Sequence, residues 1–105
     1  MDKNAKQELL EHIDEAKSRL KAAIIRRETE YGSITRFILY PDYSDQEMSS
    51  FLEFMNFEYE SSYGMQEVYG TLWFDDGTWS ERGEYDGSEW WNHVVKPQIP
   101  IRPPK

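Results

Sequence analysis

Two Asp-Gly pairs, Asp76-Gly77 and Asp86-Gly87, lie ten residues apart between runs rich in Tyr, Trp, Val and Thr. An Asp-Gly pair in that setting signals a two-residue hairpin turn, because both central positions of the favoured turn need positive φ. Two such turns predict a three-stranded meander over residues 68–94. Each turn also sets a register: paired residue numbers sum to 153 in the first hairpin and to 173 in the second. On one face this puts Phe74, Trp79 and Val94 in a row, and Gly70, Gly83 and Trp90 in another, so that one indole lies over two glycines. The other face takes Tyr69, Trp73, Arg82 and Trp91, where the guanidinium meets an indole.

Upstream, from Asn4 to Tyr31, Leu9, Ile13, Ala16, Leu20 and Ala23 recur at steps of four and three. That spacing predicts one long amphipathic helix, capped by Asn4 with Gln7 and ended by Gly32. Residues 34–40 are β-branched and aromatic and read as a strand that Pro41 closes. Ser44 with Glu47 is a capping box, and Met48, Phe51, Leu52 and Met55 form the buried stripe of a second, short helix. Phe57, Tyr59, Ser61 and Tyr63 alternate with Glu58, Glu60 and Ser62, a strand with an acidic outer face. With 105 residues there is room for one core. The expected architecture is a single α+β domain over 1–96, with the long helix and the short one packed on an antiparallel sheet of four to five strands ending in the meander. Residues 97–105 form an extended Pro-rich tail, since Pro97, Pro100, Pro103 and Pro104 lack an amide donor.

Charge is distributed unevenly. Of a formal net charge of −8, residues 1–36 carry +1, residues 37–95 carry −12 with Arg82 as their only cation, and the last ten carry +3. An acidic block repels phosphate, which disfavours direct nucleic-acid binding and docking on an anionic membrane and favours a basic protein partner. The longest apolar run, Ala22–Ile25, is far too short to span a membrane, and a cytoplasmic location is expected. Cysteine is absent, so disulfides and thiolate metal sites are excluded. His12 and His93 have no ligand-like neighbours at helical or turn spacing, and Asp75-Asp76-Gly77-Thr78 with Glu81 and Glu84 does not follow the order of a calcium loop. No metal, cofactor or catalytic residue is expected, because no nucleophile elbow, phosphate loop or dinucleotide fingerprint is present.

The candidate partner-binding residues are therefore surface groups. Carboxylates come from Glu58 and Glu60 on one strand, Asp75 and Asp76 at the first turn, and Glu84, Asp86 and Glu89 at the second. Tyr69, Trp73 and Trp91 supply an aromatic patch on the sheet face that a single helix layer would leave open. The alternative use of the chain is as an assembly subunit, a homo-oligomer whose long helices pair along the Leu9–Ala23 stripe.

The stretch Tyr69-Gly70-Thr71-Leu72-Trp73-Phe74-Asp75-Asp76-Gly77-Thr78-Trp79, continuing through Arg82-Gly83-Glu84-Tyr85-Asp86-Gly87-Ser88-Glu89-Trp90-Trp91, resembles small acidic accessory proteins encoded by bacteriophages. The resemblance covers about 25 residues and assigns no site. It implies a non-enzymatic protein that inhibits or modulates a basic host nuclease, defence protein or transcription factor, in some cases by placing carboxylates where the target expects DNA phosphates.

Overall fold

The computed structural model describes residues 2–60, 64–95, 100 and 102–103. In chain order the elements are β1 (Asp2–Asn4), α1 (Ala5–Ala16), β2 (Leu20–Glu28), β3 (Ile34–Leu39), α2 (Asp45–Phe54), β4 (Glu58–Glu60), β5 (Val68–Phe74), β6 (Trp79–Tyr85) and β7 (Ser88–Val94). The chain is α+β, with two helices packed on antiparallel sheet. The main sheet has five strands in the order β3-β2-β5-β6-β7, and a separate ribbon pairs β1 with β4. Residues 34–40 thus join the meander's sheet through β2.

Both helix starts form as their sequences dictate. Asn4 accepts the Gln7 amide at 2.9 Å, and Ser44 and Glu47 close a reciprocal capping box. The long helix does not form. α1 stops at Ala16, with Lys17 in the left-handed region at φ 55, and the chain turns into β2. The reason lies in a bulge. β2 pairs Leu20 with Phe74 but Ala22 with Trp73, so Lys21 is an extra residue. Leu20 and Ala23 therefore point to the same face three residues apart, a spacing that imitates a helix. Hydrogen bonding to β3 on one side and β5 on the other then overrides the local helix preference.

The second hairpin has the expected register, with Tyr85 opposite Ser88 and Trp79 opposite Val94. Asp86 and Gly87 take φ of 52 and 86, as the two-residue turn requires. The first hairpin differs by one residue: Trp73 faces Trp79 and Leu72 faces Ser80, a sum of 152. Its loop holds three residues, with the Phe74 amide donating to the Thr78 carbonyl at 2.9 Å and Gly77 at φ 85. Asp76 causes this, because its Oδ1 accepts from the Thr78 hydroxyl at 2.5 Å and from the Thr78 amide at 3.0 Å and is spent on the loop itself. Those bonds hold its carboxyl below the usual carboxylate range.

A one-residue slip moves every side chain of the strand to the other face. Trp79 and Trp90 therefore join Tyr69 and Trp73 on the outer face, and Arg82 and Trp91 turn inward. Trp90 does lie against Gly83, where a Cβ would come 2.8 Å from its Nε1. Gly70 instead meets β2, and a Cβ there would come 2.3 Å from the Ile24 carbonyl oxygen.

The inner face is the core. Ala23, Ile25, Leu39, Val68, Leu72 and Phe74 are buried beneath Leu9 of α1 and Phe51 of α2. Phe37 of β3 packs its ring 5.5 Å from Phe51 and 5.4 Å from Phe54. β4 covers Glu58–Glu60, buries Tyr59, and is partnered by β1, which the sequence pattern does not announce. Ser61–Tyr63 and most of the Pro-rich tail lie outside the described residues.

Candidate functional site

Beneath α1, a buried polar network replaces what the alternation of strand residues would otherwise make apolar. Arg82 has only 2% of its side chain exposed. Its Nη2 donates to Glu8 Oε1 at 3.0 Å, to the Tyr59 hydroxyl at 2.6 Å and to Glu89 Oε1 at 3.1 Å. The Tyr59 hydroxyl donates to Glu8 at 2.6 Å. Burial pulls the guanidinium pKa down, but Glu8, Tyr59 and Glu89 more than offset it and raise the value. Burial and the bond to Glu8 push the Tyr59 hydroxyl well above its ordinary range. Glu89 also accepts the amides of Glu67 at 2.9 Å and Val68 at 3.0 Å, so its carboxylate closes the open start of β5. Arg82 lies 5.0 Å over the Trp91 ring, and this cation–π pair is buried.

Next to the network, Ser80 Oγ sits 2.6 Å from His12 Nε2 and 3.0 Å from His93 Nδ1. Its single hydroxyl proton can go to one ring only, so the other imidazole must donate. Ser80 is fully buried and meets no described carboxylate, which makes this a packed hydrogen-bonded relay rather than an accessible nucleophile. Desolvation, with His93 nearby, lowers the His12 pKa. Among the described residues no cluster of three His, Cys, Asp or Glu is placed to hold a metal.

The second feature is the outer face. Both helices and the β1–β4 ribbon lie on the inner side, and no described element covers the outer one. Trp73 is 38% exposed, Ile24 44% and Ile38 45%. These three, with Ala22, Tyr40 and Pro41, line an open groove of about 420 Å³. Tyr69 is on the same face with Arg26 stacked 4.3 Å over its ring, and half-buried Trp79 sits between Trp73 and Val94.

The sequence-predicted residues are thus separated. Tyr69 and Trp73 are on the outer face as expected. Trp91, at 7% exposure, and Glu89, at 1%, are core residues instead of surface contacts, because the register slip and the Arg82 network draw them inward. Glu58 is exposed on β4 and Glu60 half-buried beside it. Asp75 and Asp76 are exposed at one end of β6, with Asp75 3.5 Å from Arg19. Glu84 and Asp86 are exposed at the other end, and Glu84 accepts the Gly87 amide at 3.0 Å. The acidic block is therefore several small clusters instead of one continuous field, and Arg19 and Arg27 neutralise Asp75 and Glu67. Sequence reasoning missed Ile24, Ile38 and Trp90 as surface residues; the pair Ile24-Ile25 was the available sign of a strand. No described helix is long and apolar enough to cross a membrane. Compared with family models, curated proteins and solved structures, the chain finds no match, so its own geometry carries the functional argument.

Proposed function

We propose that this protein is a non-enzymatic binding module that docks a basic protein on the outer face of its five-stranded sheet. The uncovered face carries the reading. A sheet gains stability by burying both faces, and a contiguous apolar surface left open marks a partner site. Charge supports the choice of partner: Asp42, Asp45, Glu47, Glu53, Glu58, Asp76, Glu81, Glu84 and Asp86 form no ion pair with another described residue, in a chain of net charge −8. These groups steer encounter, and the aromatic face supplies residence time. A basic host nuclease, defence protein or transcription factor, inhibited by this contact, is the class the phage-like resemblance suggests. The dispersal of the carboxylates favours apolar docking over mimicry of a DNA backbone, where phosphates follow one line.

The test is capture from cell extract at low and at high salt, by the natural chain and by a Trp73→Ser/Ile38→Ser variant. A basic protein retained by the natural chain, weakened by salt and lost by the variant, is the expected result. Retention by both chains alike refutes the outer face as the docking surface, and indifference to salt refutes the electrostatic half. The assembly alternative loses its surface: Ala5, Leu9 and His12 of α1 are buried, and Leu20 and Ala23 belong to β2.

A further inference from the structure

We propose that β7 is a strand-addition site for an extended cationic peptide, seated between that strand and α1. This rests on the reading of the chain as a binder of basic proteins and names the kind of segment it accepts. β7 is an edge of the main sheet. Tyr85 and Ser88 flank a two-residue turn and form a hydrogen-bonded pair, so alternation directs the amides and carbonyls of Glu89, Trp91 and His93 away from β6. No backbone hydrogen bond from another described segment reaches them. Exposed edges are commonly blunted by lysine, proline or a bulge, and Ser88–Val94 has none of these.

Charge complementarity identifies the occupant. Alongside this edge, α1 and β7 enclose a cleft of about 170 Å³ walled by Glu8, Glu11, Glu15, His12 and the two indoles Trp90 and Trp91. Glu8 is committed to Arg82, whereas Glu11 receives only the Gln7 amide at 3.3 Å and Glu15 pairs with no described cation. The wall also holds an unused donor, since the Trp91 indole N–H has no acceptor among the described residues. Two uncompensated carboxylates beside aromatic rings favour an ammonium or guanidinium. Side chains alternate along a strand, so those of the guest that turn toward α1 meet Glu11 and Glu15, and those between them lie beside Trp90, Asn92 and Val94. The fitting segment therefore alternates Lys or Arg with apolar residues.

The probe is the peptide acetyl-Lys-Val-Lys-Val-Lys-Val-Lys-amide, compared with a copy carrying proline at its central valine and with a copy in which glutamate replaces every lysine. Titration is followed by amide NMR and hydrogen exchange on the full chain. The lysine peptide is expected to slow exchange at Trp91 and His93 at least tenfold, and both comparison peptides to bind at least tenfold more weakly. A Glu11→Lys/Glu15→Lys variant, altered only on the exposed side of α1, should lose at least tenfold in affinity, and Trp73→Ser/Ile38→Ser should lose none. No binding at millimolar peptide, equal binding of the proline copy, or protection at Ile24 and Trp73 in place of β7 overturns the proposal. Partner capture that survives Trp73→Ser/Ile38→Ser while the peptide still protects β7 overturns the outer-face reading alone.

Discussion

Trp90 and Trp91 are neighbours in one strand and live in different worlds. Trp90 is 36% exposed on the outer face, its indole donating to Asn92 at 3.2 Å, while Trp91 is 7% exposed beneath α1 with Arg82 against its ring. Trp73 and Leu72 repeat the contrast on β5. Both faces are rich in large side chains, so hydrophobicity does not decide which one becomes core. Strand parity assigns each residue a side, and the position of the two helices decides which side is dry. The dry side even accommodates an arginine and a glutamate, because both Glu89 oxygens and the Nε and Nη2 of Arg82 are bonded to partners there, while Arg82 Nη1 alone has none among the described residues.

The contrast is open to direct attack. Arg82→Met strips Glu8, Glu89 and Tyr59 of their common partner and should cost about 3–5 kcal/mol, measured by chemical denaturation. Leu72→Ala on the same face should cost about 2–5 kcal/mol. Gly70→Ala forces a Cβ against the Ile24 carbonyl and should cost about 1–3 kcal/mol, more than Gly83→Ala, where the exposed Trp90 ring can shift aside. Trp73→Ala should cost under about 1 kcal/mol, as an uncovered position predicts; a loss as large as that of Leu72→Ala would mean that the outer face is buried in solution. The smallest effect is on pH dependence. The folded chain holds His12 below its ordinary pKa of 6.5, so the unfolded chain binds more protons once pH drops through that value. Melting temperature should therefore decline as pH falls from about 7 toward the lowered folded pKa, and His12→Asn should flatten that decline.

Elements whose signals are local were legible in the sequence. The capping box at Ser44, the strand before Pro41 and the type of turn at Asp86-Gly87 depend on residues within four positions of one another. The end of α1 was not, because Leu20 and Ala23 share a face through a bulge that only the Phe74 and Trp73 pairing creates. The first Asp-Gly turn has a three-residue loop where the dipeptide predicts two, since nothing in the dipeptide says that Asp76 will bond Thr78. That single residue of loop reversed the sides of Trp79, Arg82 and Trp91, and so the candidate site. The alternation around Tyr59 marks β4 as a strand, but its partner β1, three residues long and 56 positions away, leaves no pattern to read.

The Arg82 network joins Glu8 of α1 to Glu89 of β7. During synthesis the ribosome delivers Glu8 first, and its buried partner set stays incomplete until β7 has emerged and Glu89 has capped the amides of Glu67 and Val68. Folding around this network consequently waits for β7 to emerge, and a nascent chain arrested before residue 89 would present its α1 carboxylate and the start of β5 without the groups that neutralise and bind them.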